Sequence, residues 1–400
     1  DKYKDMVMYD ATADAEEIAS KVDFIFCAVD MKKDEIRALE EKYAKLECPV
    51  CSNNSAHRGT PDVPMIIPEI NADHAEIIPA QRKRLGTKRG FIAVKSNCSI
   101  QSYVPALSAL MDFEPTEVSV CTYQAISGAG KTFETWPEMV DNVIPYIGGE
   151  EEKSEKEPMK IWGHIEGDHI EPATVPVISA QCLRVACSDG HMAAASVKFK
   201  NKPSKEVMIE RWNSFKGRAQ ELKLPSAPEH YLTYCEEDNR PQTKLDRNLE
   251  NGMAVSIGRL RPDTQYDYKF VCVSHNTLRG AAGGELLLER GVLRHERCKV
   301  GLRHFRRRGS GSLGGLRQKG AVKMALGIVF AVTISHEVQK HIEVFQTQRR
   351  LLLGDLFAGV GGVVARAADK VHSPPDIRAD DVAEILGIHK ADERILIWHD

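Results

Sequence analysis

Six polar residues between positions 98 and 191 are of the types that acyl transfer requires: a nucleophile, a polarising amide, a charge clamp and an acid/base. They are Cys98, Gln124, Glu150, Lys153, Arg184 and His191. The cysteine follows a strand-like apolar run at 91–94 and precedes a helix-like run at 100–113. We therefore expect its sulfur at a helix N-terminus, where unpaired N–H groups and the helix dipole favour the reactive thiolate over the thiol.

The composition is that of an ordinary globular protein with 400 residues and a formal net charge of −3. This length exceeds the size at which one core usually stops growing, so two or three domains are expected. The small net charge gives no bulk electrostatic reason to bind nucleic acid or a membrane, and neither is expected as a partner. Ten cysteines without regular spacing indicate a reducing compartment. We expect the cytoplasm and leave a plastid open.

The one close cysteine pair is Cys48 and Cys51. Such a pair is found in redox and zinc motifs, but no second pair of ligands follows at a useful distance. Cys51 also ends a short apolar run that is typical of a buried strand. We favour the buried strand and predict no metal site.

The elements that would position these residues fall into two groups. Up to about position 98, strand-like and helix-like runs alternate with short polar joints, which predicts a parallel sheet with helices on its faces. From position 100 onward, longer alternating strands predict an α+β domain with a mostly antiparallel sheet. The strand-like runs are 23–29, 49–52, 65–67, 117–123, 193–200, 253–260 and 266–274, and the helix-like runs are 32–46, 72–85, 100–113 and 205–222.

Five motifs occur in an order that resembles one known family. They lie at 52–58 (SNNSAHR), 96–99 (SNCS), 123–130 (YQAISGAG), 184–191 and 276–284. Over residues 20–290 the chain is similar to the archaeal and fungal aspartate-semialdehyde dehydrogenases. The resemblance implies an α/β fold with an incomplete Rossmann-like, NADP-binding sheet at 1–98 that a helix at 276–290 completes. It further implies an α+β catalytic and dimerisation domain at 99–275, and leaves 291–400 as an irregular extension.

The resemblance implies an NADPH-dependent oxidoreductase of lysine, threonine and methionine biosynthesis. Its reaction is the reductive dephosphorylation of L-aspartyl 4-phosphate to L-aspartate 4-semialdehyde. Cys98 would attack the acyl carbon, expel phosphate and leave a thioester, which hydride from the nicotinamide reduces. His191 would take the thiol proton and return a proton to the departing sulfur, and Gln124 would orient the acyl carbonyl. For His191, a hydrogen-bonded structural role is the alternative.

Five residues would hold the substrate in this resemblance. Arg184 would grip the α-carboxylate with its planar fork of donors. Glu150 and Lys153 match a pair near the substrate ammonium and phosphate, although the three successive glutamates leave the register open and a solvated loop is the alternative. Asn97 would contact the phosphate, and Arg58 would reach the phosphate or the cofactor.

The NADP contacts implied are Ser52, Asn53, Ser127, Gly128 and Asn276. Ser52 and Asn53 follow a strand, where open α/β sheets place ligands. The backbone at Ser127 and Gly128 would lie against the cofactor, and Asn276 would bond the nicotinamide amide. Ordinary turn and helix-packing roles are the alternatives for these residues.

The chain departs from the family at both ends. The Gly-rich turn that holds the pyrophosphate would precede Asp1, so we expect exposed apolar surface, a vacant strand position and little or no NADPH binding or activity in this chain. A basic stretch from Arg290 to Lys319, with a Gly/Ser joint at 309–315, is interpreted as a solvated segment, with RNA or anionic lipid as alternative ligands. The apolar run at 324–334 is too short to span a bilayer and predicts a buried helix or strand. Residues 355–362 weakly resemble a methyl-donor-binding motif.

Other functions stay open at this stage. A malonyl-CoA reductase would use the same thioester chemistry, but the charged residues Glu150, Lys153 and Arg184 favour an amino-acid substrate. A non-catalytic interaction protein is the alternative of a different class. The resemblance implies aspartyl phosphate or the semialdehyde with phosphate as small-molecule partners, and a homodimer or homotetramer.

Overall fold

The computed structural model describes residues 8–292, 328–333 and 393–398. Its strands form a six-stranded sheet, a seven-stranded sheet and a two-stranded hairpin. The strands are β1 (Met8–Tyr9), β2 (Phe24–Cys27), β3 (Val50–Ser52), β4 (Ile92–Val94), β5 (Pro115–Gln124), β6 (Val143–Ile144), β7 (His164–Glu166), β8 (His169–Glu171), β9 (Val177–Val185), β10 (His191–Phe199), β11 (Leu232–Cys235), β12 (Val255–Pro262), β13 (Tyr268–Ser274), β14 (Ile328–Thr333) and β15 (Glu393–Trp398). The α-helices are α1 (Ala15–Lys21), α2 (Lys33–Lys45), α3 (Ile78–Leu85), α4 (Val104–Ser108), α5 (Glu150–Ile161), α6 (Lys205–Ser214), α7 (Arg218–Glu221), α8 (Thr243–Asp246) and α9 (Leu249–Gly252).

The predicted parallel sheet is confirmed. Strands β2, β3 and β4 pair in parallel, with Ile25 opposite Val50 and Val50 opposite Ile92. Every side chain of these three strands is buried, which is why the sequence shows continuous apolar runs here rather than alternation. The carboxyl ends of the three strands therefore lie at one edge of the sheet.

The expected vacancy beside β2 is wrong. Strand β14 pairs in parallel with β2, with Ile328 opposite Phe24 and Ala331 opposite Cys27. Strand β15 pairs antiparallel with β14 and then with β1. The predicted apolar run at 324–334 thus contains a strand, and it satisfies the main-chain groups that an open edge would leave unpaired. Helix α1 and strand β1, which precede β2, were not predicted.

The second sheet has the order β11-β12-β13-β10-β5-β9-β6. Four of its neighbouring pairs are antiparallel, and the β5–β9 and β11–β12 pairs are parallel. Burial alternates along β10, as the sequence pattern predicted for a sheet with one face on the core. The mostly antiparallel second domain is confirmed.

Two predicted helices are broken. The run at 100–113 is a 3-10 turn at Ile100–Ser102, then α4, then another 3-10 turn at Met111–Phe113. Only a 3-10 turn of three residues follows Cys98, and α4 begins at Val104 with Pro105, which has no N–H to donate, in its first turn. The α-helix N-terminus expected at Cys98 is therefore wrong. The run at 205–222 divides into α6 and α7 because Gly217 lies against the backbone of Glu69, where a Cβ would come within 2.0 Å of the Glu69 carbonyl oxygen.

Three further predictions differ in detail. The strand expected at 65–67 is reduced to a single bridge between Met65 and Val94, and the helix expected at 72–85 is a 3-10 turn at Ala72–Ile77 followed by α3. After β13 the chain makes a π-type turn at Leu278–Ala282 and continues as a helix over residues 283–292, where one helix was expected at 276–290.

None of the helices in the described part of the chain has the length and apolar character needed to traverse a bilayer. The basic residues after Arg290, the Gly/Ser joint and the motif at 355–362 lie outside the described residues.

Candidate active site

The thiol of Cys98 lies beside the imidazole of His191. Cys98 occupies the turn after β4, and His191 is the first residue of β10. The distance from Cys98 Sγ to His191 Nε2 is 3.4 Å. Gly280, in the π-type turn Leu278–Ala282 after β13, packs so closely against Cys98 that a Cβ on Gly280 would lie 2.7 Å from Cys98 Cβ. The predicted nucleophile therefore lies within hydrogen-bonding reach of the predicted acid/base, and the backbone of Gly280 packs against it.

The second ring nitrogen of His191 faces a main-chain donor. Ala125 N–H donates to Nδ1 at 3.1 Å, so we assign the ring proton to Nε2, the atom that faces Cys98. His191 is fully buried, and burial, followed by the charge of Arg184, holds its pKa well below the usual range. The imidazole is therefore neutral near physiological pH and presents an N–H to the sulfur.

Arg184 and Gln124 reach the site from neighbouring strands. Gln124 ends β5 directly opposite Arg184 of β9 in the parallel register. Arg184 donates from Nη1 to the Ala125 carbonyl at 2.6 Å and is buried. A Cβ on Gly128 would lie 2.8 Å from that nitrogen and 3.0 Å from His191 Cε1. The absence of a side chain at Gly128 therefore allows the guanidinium of Arg184 and the imidazole of His191 to lie on the same side of the site.

Glu150, the first residue of α5, places its carboxylate beside Gln124 and Asn97. Glu150 is buried; its Oε1 accepts from Lys153 Nζ at 2.6 Å and from Asn97 Nδ2 at 3.0 Å, and its Oε2 accepts from Gln124 Nε2 at 3.3 Å. Of the three successive glutamates, Glu151 instead accepts from the backbone of Cys182. Glu152, the third, is exposed. The helical period therefore turns Glu150 toward the other predicted residues.

A second carboxylate on α5 was missed by the sequence analysis. Glu157 accepts from Arg58 Nη1 at 3.0 Å and from the backbone N–H of Asn97 at 2.6 Å. It lies seven residues after Glu150, a spacing that returns to the same face of an α-helix. That spacing was the available signal, and it was hidden inside a run that resembles a solvated charged loop.

A buried lysine near the nucleophile was also missed. Lys95, at the end of β4, donates to the carbonyl oxygens of Ser96, at 2.6 Å, and Gly280. Burial, with the charge of Arg58 second, lowers the pKa of Lys95 to about 8. A lysine at the end of a buried strand, three residues before the cysteine, was the signal. Through these two hydrogen bonds Lys95 links the turn that contains Cys98 to the turn that contains Gly280.

The predicted cofactor residues divide into two places. Ser52 and Asn53 lie at the carboxyl end of β3, but the Ser52 hydroxyl donates to Glu40 at 2.5 Å and is fully buried. Asn276 donates from Nδ2 to Ser127 Oγ at 2.9 Å and accepts from the Gly190 N–H at 2.7 Å. The amide and hydroxyl of Asn276 and Ser127, next to the half-buried backbone of Gly128, are uncharged groups that fit a carboxamide such as nicotinamide.

Comparisons with known proteins match two family models to this chain. The family model described as "Semialdehyde dehydrogenase, NAD binding domain" matches residues 1–78, and "Semialdehyde dehydrogenase, dimerisation domain" matches residues 107–279. The aspartate-semialdehyde dehydrogenase of Aspergillus fumigatus is 38% identical over 306 residues, which cover 72% of this chain and 84% of that protein. The Archaeoglobus fulgidus protein of the same name is 41% identical, covering 66% and 75%. The crystal structure of the Candida albicans aspartate-semialdehyde dehydrogenase with NADP superposes with a TM-score of 0.62 at 32% identity, covering 69% of this chain and 78% of that one.

Proposed function

The chain belongs to the aspartate-semialdehyde dehydrogenase family, and from that premise we propose that it reduces L-aspartyl 4-phosphate to L-aspartate 4-semialdehyde through a thioester on Cys98. The observation that carries the proposal is the 3.4 Å separation of Cys98 Sγ and His191 Nε2. The family is one of NADP-dependent oxidoreductases of amino-acid biosynthesis. The coenzyme supplies a hydride when it is bound, and Asn53, Ser127, Gly128 and Asn276 are the residues proposed to hold it.

The sulfur chemistry follows from the arrangement of the two side chains. The thiolate of Cys98 forms a C–S bond to the acyl carbon while the C–O bond to phosphate breaks, and phosphate leaves with the electron pair. His191 holds its proton on Nε2, so it donates a hydrogen bond to the attacking thiolate and donates it again to the sulfur, which departs from the aldehyde product as a thiolate. Removal of a thiol proton requires the opposite tautomer, whose Nδ1–H would face the N–H of Ala125. The donor role is therefore the one that this geometry supports.

The charged groups support an amino-acid substrate over a CoA ester. Arg184 offers a guanidinium for the α-carboxylate, and Glu150 offers a buried carboxylate for the ammonium group. Lys153, half-buried beside Glu150, is placed to meet phosphate together with Arg58. A CoA ester has no ammonium group for the carboxylate of Glu150 to bind.

The match to a dimerisation domain indicates an oligomer, and we propose a homodimer. Apolar side chains are exposed along the β6 edge of the second sheet and in the segments beside it, where a second copy would cover them. They are Val140, Val143, Tyr146, Val175 and Val177. The cysteines of the described residues are all free, which supports a reducing compartment, and we propose the cytoplasm.

The test is a phosphate-dependent assay of NADP reduction by aspartate semialdehyde. Cys98→Ala removes the nucleophile and should abolish turnover. Cys187→Ala is the matched control, because Cys187 is also half-buried but its thiol donates to Asp189 and Thr243 rather than facing His191. Unchanged turnover in the Cys98 variant would refute the thioester.

A further inference from the structure

The β7–β8 hairpin carries two histidines and two glutamates on one face. In its antiparallel register His164 is opposite Glu171, and Glu166 is opposite His169. The pair between them, Ile165 and Ile170, lies on the other face, and Ile170 is buried. The hairpin therefore separates an apolar face, turned to the protein, from a solvent-facing surface of two imidazoles and two carboxylates.

Three of these side chains converge. One ligand atom from each of Glu166, His169 and Glu171 lies within 4.8 Å of the others. His169 Nε2 is 3.4 Å from Glu171 Oε2, and on the other side of the ring Nδ1 is 3.4 Å from Asp168 Oδ1. A carboxylate behind a ligating histidine is the arrangement that orients the ring and raises its basicity at metal centres.

The hairpin is anchored to the domain by its backbone. The Ile170 N–H donates to the Pro61 carbonyl at 2.9 Å, and the ring of His74 bonds the Gly163 carbonyl at 3.0 Å. Gly163 packs so closely on the β8 backbone that a Cβ would lie 2.3 Å from the Glu171 carbonyl oxygen. Because these contacts fix both strands, little chain entropy is lost when the side chains close on an ion.

We propose that this face binds a divalent first-row transition-metal ion, with Zn²⁺ as the probe, through His169 Nε2 and the carboxylates of Glu166 and Glu171. One imidazole and two carboxylates suit Zn²⁺, and water would complete its coordination because the face is open to solvent. Asp168 orients the ring from behind. The hairpin follows the C-terminal end of α5 in the chain, whereas Glu150 is at the opposite end of that helix, whose twelve residues span roughly 18 Å. The site is thus separate from the candidate active site.

The test is a calorimetric titration of chelator-treated full-length protein with Zn²⁺. All proteins carry Cys98→Ser, so that the catalytic thiolate does not bind the metal. We expect His169→Asn to weaken one Zn²⁺ site by about tenfold or more, and Glu166→Gln with Glu171→Gln to do the same. His230→Asn is the matched control, because His230 is an exposed histidine outside the hairpin.

A spectroscopic arm identifies the ligands. Co²⁺ bound at this face should give d–d absorption without a sulfur-to-cobalt charge-transfer band, and His169→Asn should remove that absorption. Equal Zn²⁺ affinity in the parent and in His169→Asn would overturn the proposal, as would a thiolate band that His169→Asn leaves unchanged. Circular dichroism of each variant shows whether the fold is intact. Turnover should be unaffected by the hairpin substitutions when Cys98 is present, so failure here and failure of the proposed reaction are distinguishable.

Discussion

The backbone N–H of Ala125 donates to Nδ1 of His191, and this bond decides which proton the imidazole presents to Cys98. A protonated ring would carry hydrogens on both nitrogens and would lose the Ala125 bond in a buried site. The neutral ring with its proton on Nε2 keeps the bond and faces the sulfur with a donor. A single main-chain contact at the end of β5 therefore fixes the tautomer of a residue on β10.

Substitution of His191 tests this arrangement. His191→Asn should lower kcat by about 10²–10³-fold, because the shorter side chain no longer presents the imidazole N–H to the sulfur that departs as a thiolate. The pKa of the wild-type imidazole is held well below its usual range, so the ring is already neutral across neutrality. The wild-type profile of kcat against pH should therefore show no acid limb at the ordinary histidine pKa. If the wild-type profile falls on the acid side near pH 6.5 and His191→Asn removes that fall, the assignment of a neutral His191 imidazole is wrong.

Substitution of Glu150 tests the substrate clamp. Glu150→Gln removes a buried charge that pairs with Lys153, and it should raise KM for aspartate semialdehyde by about ten- to a hundredfold. Glu152→Gln is the matched control, since Glu152 is exposed on the first turn of the same helix. Steady-state kinetics in the phosphate-dependent direction measure both. Equal effects from the two variants would mean that a general charge effect, rather than a specific contact, is involved.

The sequence predicted the elements better than the contacts. The buried strands Phe24–Cys27 and Ile92–Val94 are continuous apolar runs, and motif order predicted that Cys98 and His191 belong to one site, where the structure places them 3.4 Å apart. Glu157 and Lys95 were missed because their roles depend on partners distant in sequence: Asn97 is 60 residues from Glu157, and Gly280 is 185 residues from Lys95. The hydrophobic and charge pattern around a residue indicates its secondary structure and the face it lies on, but does not identify a hydrogen-bond partner this far away in sequence. Pro105 was visible in the sequence, and the predicted helix overlooked its missing donor.

Glu40 should make stability depend on pH. Its carboxyl is buried, and burial raises its pKa to about 7. Below the unfolded pKa near 4.5, both states are protonated. As pH rises from there to about 7, the unfolded carboxyl ionises first, so the free energy of unfolding falls by up to about 3 kcal/mol in total. Glu40→Gln should remove this loss and be more stable than wild type above pH 7.

Urea denaturation at acid and at alkaline pH measures the effect of Glu40. In Glu40→Gln the amide oxygen of the new side chain can still accept the Ser52 hydroxyl, so the variant keeps the local hydrogen bond. Glu41→Gln is the control; it removes ion pairs with Lys45 and Arg84 and should give no gain. A gain for Glu40→Gln that is equally large in acid would exclude ionisation as the cause.

Lys95 should give the opposite slope at higher pH. Its pKa is lowered from 10.5 to about 8, so below pH 8 both states are charged and folding carries the full penalty of burying the ammonium group. Between pH 8 and 10.5 the folded state loses its proton first, and the free energy of unfolding rises by up to about 3 kcal/mol. Lys95→Met should lack that rise, whereas Lys88→Met, at an exposed lysine, should retain it. Thermal unfolding of the three proteins over this pH range provides the measurement, and parallel curves for all three would reject the buried charge.

Deletion of residues 293–400 tests the pairing of β14 with β2. The described strand Ile328–Thr333 covers the main-chain edge of Phe24–Cys27 over four residue pairs, and its loss leaves that edge open to water and to other chains. We expect faster amide hydrogen exchange in Phe24–Cys27 and concentration-dependent association of the truncated protein. Exchange in β10 should be unchanged, because both of its neighbours, β5 and β13, belong to the second sheet. Equal protection of Phe24–Cys27 in the full and truncated chains would show that the edge of β2 does not depend on the C-terminal strand.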